Sequence, residues 1–237
     1  MPRTARIAPQ ECVYHVLMRG NNKQNIFKDE EDFLKFIEIL KKYKEKYQFN
    51  LYHYVLMTNH VHLVIETTAK GGELSQIMKG INLSYAQHYK NRYKHTGHFW
   101  QDRFKSIMIS KDEYLLACGS YVELNPVRAR MVKDPKEYQW SSYKANAYGQ
   151  ADELLDDHII YRKLFQDQEV QREYRKFVHQ MMEKKEAMRG EMERRTTYGS
   201  GEFIKDVNKR YKIEAMIKQR GRPRSIADKK EGKNENK

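Results

Sequence analysis

The stretch LYHYVLMTNHVHLVIE, residues 51–66, decides the fold. Leu51–Leu56 and Val61–Glu66 are short runs rich in aromatic and branched side chains, separated by Met57-Thr58-Asn59 and then His60. Two such runs with so brief a connection read as an antiparallel strand pair. In the second run Val61, Leu63 and Ile65 alternate with His60 and His62. Successive side chains of a strand point to opposite faces, so one face is apolar and the other presents two imidazoles at i and i+2.

Working outward, Val13–Met18 reads as a strand and Gly20-Asn21-Asn22 as a turn. Asp29 then opens a helix that carries Phe33, Phe36, Ile37 and Leu40 on one face to about Tyr47. Downstream, Gly71-Gly72 interrupts the chain, and Leu74, Ile77, Met78, Ile81 and Tyr85 form the stripe of a second amphipathic helix. A fourth strand is expected over Arg103–Ile109. Ser110 and Glu113 have the spacing of a capping box for a third helix, which has to stop at Pro126 because a proline ring excludes an interior helix position. The order βαββαβ followed by a helix predicts an α+β, ferredoxin-like split βαβ sandwich, an antiparallel sheet with helices on one face.

A chain of 237 residues with 39% hydrophobic content fills one core and leaves material for an appendage. The formal charge of +13 favours a polyanionic partner, nucleic acid or an anionic membrane surface. No stretch approaches 18 consecutive apolar residues, and the opening MPRTARIAPQ lacks the apolar run of a secretory signal. A membrane span is therefore not expected, and a cytoplasmic location is. Cys12 and Cys118 are too few for a disulfide scaffold, a CxxC pair or a zinc cage. Residues 171–237 hold 20 of the 45 Lys and Arg but 11 of the 32 acids, so this minority of the chain carries +9. Composition shifts at Gly149-Gln150, which divides the chain into a first domain over 1–149, a helical C-terminal extension over 150–217 and a basic tail over 218–237. The extension shows helical stretches at Asp157–Leu164, Val170–Met188 and Glu202–Gln219; the end of the tail has almost nothing to bury and is expected to be disordered.

His60 and His62 on one strand face offer two nitrogens to a divalent cation; the plainer alternative is a pair of polar side chains on a solvated sheet face. Tyr121 and Asn125, four apart, are neighbours on a helix, where a phenol and an amide oxygen lie side by side. From spacing alone, packing for the tyrosine and a helix stop for the asparagine are the plainer readings.

YVLMTNHVHLVIE at 54–66, HTGHFWQDRFKS at 95–106, YVELNPVRARMV at 121–132 and WSSY at 140–143 together resemble the REP-associated tyrosine transposases. These belong to the single-tyrosine branch of the HUH endonuclease superfamily, whose members cut and rejoin single-stranded DNA. The likeness spans roughly residues 3–145 and makes 1–149 the catalytic domain. It implies a ferredoxin-like fold, His60 and His62 as the metal-binding pair, Tyr121 as nucleophile, Asn125 as third metal ligand, and Mg²⁺ or Mn²⁺ as cofactor. The implied substrate is single-stranded DNA folded as hairpins, cut through a 5′-phosphotyrosine link, by a monomer or a homodimer. The competing readings are an HUH nickase of replication or transfer and a DNA-binding regulator that has lost the chemistry. Tyr114 and His53 are decoys, with a structural or supporting role expected for His53.

Single strands are held by basic grooves with aromatic platforms. Arg19, Asn21 and Asn22 in one segment and Trp100, Arg103 and Lys105 in another have that character, although Phe99, Trp100 and Phe104 also read as core. Trp140–Tyr143 is expected to pack the next segment onto the domain, with a serine capping the following helix. Arg220, Arg222 and Arg224, in QRGRPR at 219–224, match the core of a minor-groove hook for AT-rich duplex; the alternative is an unspecific phosphate-binding tail.

Overall fold

The computed structural model describes residues 8–158, 160–161, 170–183 and 196–211. Up to residue 149 the chain runs β1 (Val13–Arg19), α1 (Glu30–Tyr47), β2 (Asn50–Met57), β3 (His60–Glu66), α2 (Leu74–Tyr93), β4 (Lys105–Ile109) and α3 (Glu113–Glu123), followed by the short α4 (Asn125–Arg128) and α5 (Tyr143–Tyr148). The residues after it add α6 (Val170–Glu183), β5 (Thr197–Tyr198) and α7 (Gly201–Tyr211). The sheet order is β2-β3-β1-β4-β5. Its first four strands are mutually antiparallel, as the ferredoxin-like reading requires, and β5 joins β4 in parallel.

Strand alternation divides the core in two. Tyr14, Val16, Met18, Leu56, Val61, Leu63 and Ile65 pack on Phe33, Phe36 and Leu40 of α1 and on Leu74, Ile77, Ile81 and Tyr85 of α2. Burying each such side chain contributes about 1.5–3 kcal/mol. Val13, Val55, Met57, Val64, Ile107 and Ile109 point the other way, to α3. That second face is not open: Leu115, Leu116, Cys118 and Val122 close α3 over it, and Tyr174 and Val178 of α6 extend the cover. A bulge between Leu51 and His53 sets the parity, since one extra residue moves the rest of β2 to the opposite face. His53 and Val55 thereby join the α3 side.

The helix ends follow local chemistry. Asp29 caps α1 by accepting from Asp32 N. For α3 the expected Ser110–Glu113 box is replaced: Asp112 is the N-cap and accepts from Tyr114 N. Ser110 is occupied otherwise, its N–H in the ladder to Tyr198 O and its hydroxyl on Asp112. α3 ends at Glu123, before Pro126, which sits in the first turn of α4, where a missing N–H costs nothing. Trp140–Ser142 lies along the outer edge of β2, with Leu56 N donating to Trp140 O and Ser142 N to Tyr54 O. An edge strand is so covered. Trp140 stacks on Phe33 at 4.5 Å between centroids. Ser142 occupies the N-cap position of α5, yet its side chain makes no cap bond.

Candidate active site

Register builds the site. On the α3 side of the sheet Arg19 of β1 lies opposite His60 of β3, and Leu17 opposite His62. Lys105 of β4 lies opposite Leu17. The two histidines are therefore flanked across the sheet by two exposed cations. α3 lays Tyr121 against them, its ring 6.1 Å from that of His62 and 5.9 Å from that of His15. The His60 and His62 rings meet edge to face at 5.1 Å. Asn125, one turn on, donates through Nδ2 to the carbonyls of Tyr121 and Val122 at 3.0 Å each, which leaves Oδ1 as its lone-pair atom.

Each imidazole has one nitrogen committed. His60 Nδ1 is 2.6 Å from Asn59 Oδ1, an oxygen that only accepts, so the proton is on Nδ1 and the lone pair on Nε2. His62 Nδ1 is 2.7 Å from His15 Nε2. Burial, aided by Arg19, lowers the His60 pKa to about 4. Burial and then Arg128 lower that of His15 to about 4, and burial first, then the neighbouring imidazoles, hold His62 well below the ordinary value. All three are neutral at neutral pH, the state in which imidazole ligates metal. Among the described residues no group of three His, Cys, Asp or Glu is placed to hold a metal ion. The donor set of two imidazole nitrogens and an amide oxygen fits a divalent cation that completes its shell with water and phosphate oxygen.

Besides His15, two more side chains that sequence reasoning missed complete the site. Arg128 places its guanidinium 3.9 Å from the centre of the Tyr121 ring and also donates to the Tyr121 carbonyl. It lies seven residues after Tyr121, a spacing that suggests a shared face, but the break at Pro126 conceals the relation. Glu123, fully buried on α3, accepts from His53 Nδ1 (2.9 Å), Ser142 Oγ (2.6 Å), Asn146 Nδ2 (2.8 Å) and Tyr174 Oη (2.7 Å). Burial alone raises its pKa, but the neighbouring His53 and these hydrogen bonds outweigh it and leave the carboxyl lowered. His53, also bonded to Tyr161, thus ties β2 to α3 and the extension. Tyr114 packs on Tyr198 of β5.

The family described as "Transposase IS200 like" matches residues 8–125. Residues 8–125 belong to the IS200-like transposases. No curated protein matches the chain. A solved REP-associated tyrosine transposase, bound to a REP hairpin, superposes with a TM-score of 0.52 at 18% identity, over 66% of this chain and 95% of that one. A putative transposase from Deinococcus radiodurans R1 aligns with a TM-score of 0.36 at 15% identity, over 55% of this chain and 92% of that one. The first likeness shows a shared α+β fold, and the family makes DNA transposition the activity of this transposase.

The two candidate DNA segments of the transposase lie together. Asn21 N donates to Phe99 O, Gln101 N to Arg19 O, and Gly20 N to Asn59 O beside His60. A Cβ at Gly20 would meet Gln24 O at 2.6 Å, so no side chain fits there. Asn22, Arg103 and Lys105 are exposed, whereas Phe99 and Phe104 are buried. Trp100 is half-buried, packs on Phe99 and donates its indole N–H to Asn82 O. Arg220, Arg222, Arg224 and the tail over 218–237 lie outside the described residues, as do 159, 162–164, 184–188 and 212–219 of the expected helices. Among the described residues no helix is long and apolar enough to cross a membrane.

Proposed function

We propose that this transposase cuts and rejoins single-stranded DNA folded as hairpins, with Tyr121 as nucleophile and His60, His62 and Asn125 as ligands of Mg²⁺ or Mn²⁺. The observation that carries this reading is the convergence of the two neutral imidazoles and the Tyr121 ring on one sheet face. The hairpin carried by the structural neighbour supports the choice of substrate. When bound, the cation polarises the scissile phosphate and neutralises charge in the transition state.

The protein's own groups do the rest. Tyr121 Oη attacks phosphorus in line; its proton passes to solvent, the P–O3′ bond breaks, and the departing oxygen takes a proton to become a 3′-hydroxyl. The new 5′-phosphotyrosine keeps the phosphodiester energy, so a 3′-hydroxyl later attacks it, breaks the P–Oη bond and rejoins strands without ATP. A free tyrosine has a pKa of about 10, so the phenolate needs help at neutral pH. The Arg128 cation over the ring supplies it by favouring the charged form. Arg19 and Lys105 hold the flanking phosphates, and the half-buried Trp100 is a platform for a base.

A denaturing gel of labelled hairpins from the DNA flanking the gene, run with Mn²⁺ or with chelator, tests this. Wild type gives a metal-dependent covalent band, Tyr121→Phe gives none, and Arg128→Ala forms it roughly 10- to 100-fold more slowly, the scale of a catalytic electrostatic contact. A full-strength band from Tyr121→Phe would overturn the assignment.

A further inference from the structure

β1 sends into the site one residue that the reaction above does not use. His15 is buried on the face shared with His62, one strand over. The two rings are nearly coplanar, 12° apart, with centroids at 5.0 Å and the facing nitrogens, His15 Nε2 and His62 Nδ1, at 2.7 Å. The nitrogen separation and the ring radii account for the whole centroid distance, so the contact is edge to edge in the ring planes, the geometry of an N–H···N bond. Such a contact holds one proton. If His15 donates it, neutral His62 carries its own proton on Nε2 and has no lone pair for a cation. If His62 donates it, Nε2 is the lone-pair atom.

We propose that His15 is a positioning residue: its Nε2 accepts the Nδ1 proton of His62 and so holds His62 in the tautomer that ligates the metal. This rests on the reading of His60 and His62 as metal ligands. The two ligands are fixed differently. Asn59 presents His60 with an oxygen that can only accept, whereas His15 can donate or accept. The other nitrogen of His15, Nδ1, is buried and meets no partner, so nothing behind His15 pins its tautomer. The choice therefore falls to what occupies His62 Nε2, and cation binding at one side of His62 sets the proton on the other. Partners of this kind orient the ring and raise ligand basicity.

The test measures Mn²⁺ binding to the full chain by the electron paramagnetic resonance of free Mn²⁺, for wild type, His60→Ala, His15→Leu and His15→Gln. Wild type is expected to bind at a site lost in His60→Ala. His15→Leu, with no acceptor, binds about 10- to 100-fold more weakly. His15→Gln, whose amide oxygen accepts, recovers most of that loss, and hairpin binding in chelator is equal in wild type and both His15 variants. Leu and wild type binding alike, or Gln failing as badly as Leu in folded protein, overturns the role of His15 alone. A wild type without saturable Mn²⁺ binding overturns the metal reading and this inference together. Nitrogen-15 shifts of wild-type His62 with Mg²⁺ need no variant: a proton on Nδ1 supports the proposal, and one on Nε2 refutes it.

Discussion

Three buried or half-buried imidazoles on one face tie stability to pH in a definite direction. His15 and His60 each fall from an ordinary value of about 6.5 to about 4. Between those values the unfolded chain binds protons that the folded one refuses, so stability is fully present above pH 6.5 and is lost as pH falls toward 4. The loss from the fully buried His15 is on the order of 3 kcal/mol. Urea midpoints of metal-free protein should therefore fall across this window, and His15→Gln should flatten the fall; a flat wild-type profile from pH 7 to 4.5 would contradict the burial account. The same residues show what a sequence discloses at this scale. His60 with His62 and Tyr121 with Asn125 are legible because their geometry follows from spacings of two and four within one element. His15 and Arg128 are not, since one depends on the register of β1 against β3 and the other on the path of the chain after Pro126.

At the scale of elements, the proposed attack of Tyr121 on a phosphate needs α3 held still, and Glu123 is the peg that holds it. Its carboxylate receives four side chains from β2, α5, the Trp140–Tyr143 strap and α6. Glu123→Ala removes their shared acceptor; Ser142 Oγ keeps Tyr54 O and Asn146 Nδ2 keeps Tyr52 O, and each buried donor left unpaired costs about 1–3 kcal/mol. Tyr174→Phe removes a single neutral donor and costs only about 1 kcal/mol. Denaturant unfolding of both variants checks the ranking; a Glu123→Ala loss no larger than that of Tyr174→Phe would show that α3 is anchored elsewhere. The strands and the stripes of α1 and α2 can be read from the sequence because periods of 2 and 3.6 repeat over many residues. The cap of α3 is misread because Ser110 and Asp112 both carry an oxygen able to accept near the helix start, and β5 decides between them by taking the Ser110 N–H. A two-residue strand such as β5 has no period to detect, and the side of the sheet on which α3 lands is a tertiary choice that its apolar stripe does not specify.

The positive charge of the whole molecule gathers in two places. Arg19 and Lys105 flank the histidines, while the last 67 residues carry +9. Removing residues 218–237 deletes eight Lys and Arg and three acids, including Arg220, Arg222 and Arg224. Each phosphate neutralised on duplex DNA adds about 0.9 to the steepness of log affinity against log salt. If the QRGRPR string enters an AT-rich minor groove, the truncated protein should bind AT-rich duplex several-fold more weakly, lose its preference over GC-rich duplex, and show a salt slope shallower by about 2–4. An unspecific tail would flatten the slope equally but leave any base preference as it was. The core histidines and Tyr121 lie far back in the sequence from the deletion, so the covalent band on single-stranded hairpins should survive it. Titrations of both duplexes at several salt concentrations separate these cases: unchanged affinity and unchanged AT preference after truncation would remove the hook, and the duplex-binding role with it, while leaving the strand-cutting site untouched.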